Sequence, residues 1–177
     1  MDNYQIDRVA KGNKITSVMY KGCYPANFLS PKYEEGFFIV NTSTKPNEMG
    51  HWLLFFNDGN SLNFFDSFGF HPKMYGGPIA KYFMGHRKAK IVTEHSLQNP
   101  ASFVCGAYCI YFAYFMCKNL RHCDIISKFD VNNTRKNDKI VEAFVFSLTG
   151  DPDCCSKKYI CGVLTFNSTC KKYCLCK

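Results

Sequence analysis

No stretch of this sequence is apolar for long enough to cross a bilayer. The longest candidate, Phe103 to Cys117, is shorter than the roughly 20 residues a spanning helix needs, and it contains Gly106 and several tyrosines, so it reads as a buried helix. Residues Met1 to Asn13 lack the uninterrupted apolar region of a secretory signal, because Asp2, Asp7, Arg8 and Lys11 break it up. Synthesis inside the cell and no membrane partner are the expectation, which leaves the glycosylation patterns at Asn41, Asn132 and Asn167 without consequence. No internal repeat and no low-complexity linker occurs before about residue 150, so residues 1–150 are expected to form one domain. Acidic residues are missing from two segments. Ser67 to Thr93 carries Lys73, Lys81, Arg87, Lys88 and Lys90, and Cys154 to Lys177 carries five lysines, with no acid in either. The net charge of +8 is therefore unevenly placed, and a polyanion such as DNA is a candidate partner for those five cations, with solvated surface lysines as the competing reading.

What is present in quantity is apolar and aromatic. At 177 residues, with 46% hydrophobic and 20% charged, the chain can bury a core without disulfides or metal. Cysteine is abundant at eleven, an odd number that leaves at least one thiol free. Six of the eleven fall in residues 151–177, after the breaker Asp151-Pro152-Asp153, and this segment reads as a Cys-rich C-terminal extension on or following the domain. Cys154, Cys155, Cys161, Cys170, Cys174 and Cys176 do not reproduce the paired Cys-x2-Cys spacing of common zinc modules, so no metal site is assigned and free or disulfide-bonded thiols are preferred.

Short β-branched or aromatic runs bounded by turn residues predict strands over Gly36–Val40, His51–Phe56 and Leu62–Asp66, with Ala89–Thr93 as a fourth. Phe103–Leu120 is too long for a strand and predicts a central helix, and Asp138–Leu148 a second. The fold class is α+β.

Two constellations carry chemistry. If Asp58-Gly59 is a two-residue hairpin turn, residues paired across the ladder have numbers summing to 117, and His51 and Asp66 face each other. A carboxylate there would orient the imidazole and stabilise its protonated form, whereas the structural alternative is a surface pair at the open end of a hairpin. The second constellation is Gln98 to Gly106. Asn99-Pro100 disfavours helix and Ser102 is a reasonable N-cap, which puts Cys105 in the first turn of the apolar helix. A thiol there has its thiolate favoured by the helix end. Gln98 and the Cys105 amide are candidate oxyanion donors. Cys109 and Cys117 read as buried hydrophobes, and His71, His86, His95 and His122 as ordinary surface or partly buried residues.

Taken together, His51-Trp52, Asp66 after the next strand, Gln98, and Cys105-Gly106-x-x-Cys109 resemble the adenain family of viral maturation proteases in order and spacing, over roughly Gly22 to Leu120. Proteases of ubiquitin-like modifiers share the order but usually have a shorter glutamine-to-cysteine gap. The resemblance implies a mixed sheet flanked by helices, with the cysteine at the start of a buried helix, and a cysteine endopeptidase with Cys105 as nucleophile, His51 as base and Asp66 as orienting acid. It also implies Gln98 at the oxyanion, and Trp52 packed beside the histidine. Its substrates would be viral capsid and core precursors cut at Gly-containing sites, in the virion or at the site of assembly in the host nucleus. Activation by DNA and a viral peptide is implied too. Arg87 stands where the adenovirus enzyme carries the cysteine that bonds this peptide, and Asp66 where it has Glu, so a divergent relative from another DNA virus is indicated. The alternatives are a deubiquitinase or deSUMOylase, and a non-enzymatic nucleic-acid-binding virion protein.

Overall fold

The computed structural model describes residues 1–29, 34–44 and 50–149. The readings made for the Cys-rich extension lie outside the described residues. Strands β2 (Gly36–Asn41), β3 (Trp52–Asn57) and β4 (Ser61–Phe65) are buried almost throughout, on both faces. Strands of that kind need cover on both sides. Phe37, Ile39, Trp52, Leu54, Phe56 and Phe65 point to one face, where α3 (Cys105–Cys117) packs. Their neighbours Phe38, Val40, Leu53, Phe55, Leu62 and Phe64 point to the other, against α2 (Gly77–Gly85). The two-residue period of the strands thus sorts one continuous apolar run into two cores.

Edge strands β1 (Tyr20–Pro25) and β5 (Ala89–Val92) complete a five-stranded sheet of order β1-β2-β3-β4-β5. The inner pairs are antiparallel and the outer pairs parallel, which makes the sheet mixed and the fold α+β. Helix α3 is apolar on every side, as a helix enclosed by other elements should be. It lies between the sheet and helices α1 (Asn3–Gly12), α4 (His122–Ile126) and α5 (Thr134–Leu148). No helix among the described residues is long and apolar enough to cross a membrane.

Three boundaries differ from the sequence expectation. Helix α3 begins at Cys105 with Val104 as its N-cap, not at Phe103 with Ser102. The Ser102 hydroxyl is spent on the Asn99 carbonyl, 2.9 Å away, inside the preceding turn. Helix α5 starts four residues earlier than expected, because Asn133 caps it by accepting from the Lys136 N–H. The third difference is the hairpin. Paired residues sum to 119, as in Leu54 with Phe65 and Phe55 with Phe64. The Asp58 carboxylate accepts from the backbone N–H groups of Asn60 and Ser61 and from the Ser61 hydroxyl, so Asp58 closes the ladder opposite Ser61 and the loop is Gly59-Asn60. Of these two, only Gly59 takes a positive φ, at +89°. The sum moves by two, and because side chains alternate with period two, every residue keeps its face. Asp66, just past the end of the ladder, stays on the side of His51.

Candidate active site

His51 lies just before β3 and Asp66 just after β4, at the same end of the sheet. Asp66 is fully buried, yet both its oxygens are provided for. Oδ1 accepts from the Phe68 N–H at 2.9 Å and lies 2.6 Å from His51 Nε2, while Oδ2 accepts from the Phe70 N–H at 3.0 Å and the Tyr75 hydroxyl at 2.6 Å. Four donors, the His51 imidazole among them, let a carboxylate be held in the interior. Tyr75 comes from a 3₁₀ turn, Pro72–Tyr75, and its own pKa is pushed up, first by burial and then by Asp66.

The His51 ring is stacked by Phe68, with centroids 4.7 Å apart and planes inclined by 26°, and more distantly by Tyr75. The rings stacked on His51 are thus those of Phe68 and Tyr75, while Trp52 borders the same cleft. Trp52 turns towards α3, where its indole Nε1 donates to the Met1 carbonyl at 3.0 Å. Gly106 exists in that space: a Cβ on it would lie 3.1 Å from the Met1 side chain, 3.2 Å from Ile6 and 3.4 Å from Trp52.

Cys105 occupies the first helical position of α3, whose N-cap supplies no side-chain acceptor. Amides at such an end have no partner within the helix. Burial raises the Cys105 pKa, but hydrogen bonding to His51, backbone hydrogen bonds from Trp52 and Gly106, and the charge on His51 outweigh it, and the thiol sits below its ordinary value. For His51 burial works in the opposite sense, lowering the pKa, and the bonds to Asp66 and Cys105 overcome it, so that the imidazole is raised to about 9. The two shifts run in opposite senses, and both favour the thiolate–imidazolium form of the pair over the neutral one. With Nε2 engaged by Asp66, Nδ1 is the atom left for Cys105.

Gln98 is 1% exposed and has its amide fixed at both ends. Oε1 accepts from the Ser67 hydroxyl at 2.6 Å, and Nε2 donates to the Ser102 carbonyl at 2.9 Å. Nε2 has a second hydrogen. Gln98, His51 and Cys105 all border one cleft of about 770 Å³, with Met1, Asp2, Tyr24, Pro25 and Phe103 among its other walls. Phe103 is 77% exposed at its rim.

The five basic candidates lie elsewhere. Lys73, Lys81, Arg87, Lys88 and Lys90 are exposed along α2 and β5, and none lines the cleft. Lys88 donates to the Gly59 carbonyl, and Lys90 donates to the His86 carbonyl at 2.6 Å and sits over the Phe83 ring. Two of the four histidines set aside on sequence need correcting. His86 and His122 are buried, and His122 Nε2 lies 2.8 Å from the Thr93 hydroxyl. Sequence reasoning did not find Ser67, Phe68 or Tyr75. Of these, Phe68 had a signal: where a chain turns directly after an acid, the following backbone N–H groups commonly serve that acid. Among the described residues, Cys23, Cys105, Cys109, Cys117 and Cys123 are free, and no cluster suited to a metal ion occurs. No protein-family model matches the chain, and a search of curated proteins finds no relative.

Proposed function

We propose that this protein is a cysteine endopeptidase of adenain-like type, with Cys105 as nucleophile, His51 as its acid–base partner and Asp66 as the group that orients His51. The observation that carries this reading is the pairing of a lowered Cys105 thiol with a raised His51 imidazole at the wall of an open cleft. Burial alone would neutralise both groups. Sustaining the charged pair takes Asp66 on one side and the end of α3 on the other, an arrangement with an evident use in nucleophilic catalysis.

In this mechanism the Cys105 thiolate attacks the scissile carbonyl carbon, and the carbonyl π pair moves onto oxygen. The free Nε2–H of Gln98 and the N–H of Cys105 receive that oxyanion. Collapse breaks the C–N bond, and the His51 imidazolium gives its proton to the departing amine. Water, deprotonated by His51, then cleaves the thioester and restores the thiol. Viral capsid and core precursors cut at Gly-containing sites are the proposed substrates on the strength of the sequence resemblance. DNA is the proposed partner of the α2–β5 basic edge, through contacts that weaken with salt.

The test is selective alkylation followed by hydrolysis. Iodoacetamide at pH 7 should modify Cys105 far faster than any other thiol, and the rate should drop on changing His51. A hydrophobic-x-Gly-Gly peptide carrying an aminomethylcoumarin leaving group should be hydrolysed by the wild type and not by Cys105→Ala. Slow, unselective alkylation would sink the proposal. Labelling of Cys105 by ubiquitin or SUMO ending in a reactive warhead would redirect it to modifier proteins as substrates.

A further inference from the structure

We propose that Ser67 is a positioning residue for the oxyanion donor, so that the single turn following β4 governs both the base and the electrophilic side of the site. The inference rests on the endopeptidase reading and adds a residue to it.

An amide side chain donates in a useful direction only if something decides which of its ends is nitrogen. For Gln98 one group decides, and a second holds the other end in place. The Ser102 carbonyl can only accept, so it selects Nε2. Ser67 is 0% exposed, and its hydroxyl donates to Oε1 at 2.6 Å. Rotating the amide by half a turn would put carbonyl against carbonyl at Ser102. With the Ser102 carbonyl choosing the nitrogen, the buried Ser67 hydroxyl anchors Oε1 and holds the amide plane against tilting. The remaining Nε2–H is thereby fixed.

The backbone of Ser67 ties the same residues together a second time. Its carbonyl accepts from the N–H groups of Leu97 and Gln98, at 2.8 and 3.0 Å. The next turn residue but one, Gly69, has φ +75°, and a Cβ there would lie 2.7 Å from the His95 carbonyl carbon. The Asp66–Gly69 turn, closed by the Gly69 N–H on the Asp66 carbonyl at 3.0 Å, is therefore seated directly on the 95–98 segment. Successive residues divide the work: Asp66 holds His51 Nε2, Ser67 holds Gln98, and Phe68 stacks on His51.

Three readouts test this. Ser67→Ala should lower kcat/KM for the Gly-Gly coumarin peptide about ten-fold, the size expected from losing one buried hydrogen bond, whereas Gln98→Ala should lower it about 10²-fold or more. In a Gln98→Ala background the further loss from Ser67→Ala should be under about two-fold, because a residue acting through another adds nothing once that other is gone. Alkylation by iodoacetamide, which displaces iodide and forms no oxyanion, should keep its rate and pH midpoint in Ser67→Ala. Additive losses in the double variant, or slowed alkylation, would show that Ser67 merely supports the fold and overturn the proposal. The side-chain NH2 resonances of Gln98 in 15N-labelled protein supply an arm independent of turnover. They should shift and exchange faster with water in Ser67→Ala, and unchanged resonances would overturn the proposal. If the wild type cleaves no peptide, the endopeptidase reading fails, while the resonances still decide whether Ser67 orients Gln98.

Discussion

Cys105 and His51 at the cleft have chemical duplicates in the interior, Cys109 one turn further along α3 and His122 at the start of α4. Burial is the largest influence on all four, and it favours the neutral form in each. In the interior it wins. Cys109 is pushed well above the ordinary thiol value, and His122, wedged against Phe65 and Phe112, is brought down to about 4. At the cleft it loses, because each group is the other's partner and Asp66 and the backbone N–H groups of Trp52 and Gly106 add to the pair. Depth in the fold thus does not separate a structural thiol or imidazole from an activated one. The donors and charges within hydrogen-bonding reach do.

The strongest break between the two thiols is their removal. Cys105→Ala should cost at least about 10⁴-fold in hydrolysis. Cys109→Ala should leave the alkylation rate of Cys105 unchanged and reduce stability by about 1 kcal/mol, read by urea denaturation.

Asp66→Asn should make His51 behave more like His122. Hydrolysis should fall by about 10³-fold or more as the ring loses its orientation and its charge partner. The pH profile should respond as well. On the proposed mechanism, wild-type activity should rise as Cys105 ionises below its ordinary pKa and fall as His51 loses its proton near 9. In Asp66→Asn the upper limb should move down in pH and the lower limb up. An unmoved upper limb would show that Asp66 does not set the His51 pKa.

His122 makes the opposite pH statement. The unfolded chain takes up a proton near 6.5, while folded His122 resists it until about 4. Its contribution is complete above 6.5 and is lost as pH falls towards 4, a span equivalent to about 3 kcal/mol. Between pH 7.5 and 4.5 the wild type should lose more stability than His122→Gln in matched denaturant titrations. Equal losses would mean that His122 titrates normally. A small effect, comparable to that of Cys109→Ala, is expected at Gly106→Ala, where a methyl enters ordinary or slightly tight space beside Met1, Ile6 and Trp52, at about 1 kcal/mol of stability.

The two cores and the sheet were legible in the sequence because apolar runs bounded by Asn, Asp and Gly need no partner to be recognised. Helix α3 was legible from its length. Its start was not, since Ser102 offered a cap whose hydroxyl the folded chain uses within a turn. Strand β1 escaped because Tyr20 to Pro25 alternates poorly and bends at Gly22, where φ is +138°. Helix α1 could have been found: Asp2 and Gln5 form a capping box ahead of Ile6, Val9 and Ala10. For the site, the hairpin arithmetic was two residues out in register and still put His51 and Asp66 on one face, because the error was even. Ser67 and Tyr75 were not legible, since their roles depend on where two loops meet.

The order of the site along the chain also has a consequence for the newborn protein. During synthesis His51 emerges first, then Asp66 and Gln98, and Cys105 last, at the head of a helix that has no surface to rest on until the β3–β4 hairpin has formed. Until then the Cys105 thiol lacks His51, the Trp52 amide and the helix end that lower its pKa, and it is an ordinary, slow thiol. On the proposed mechanism, then, the nucleophile stays unreactive until Cys105 meets the folded hairpin.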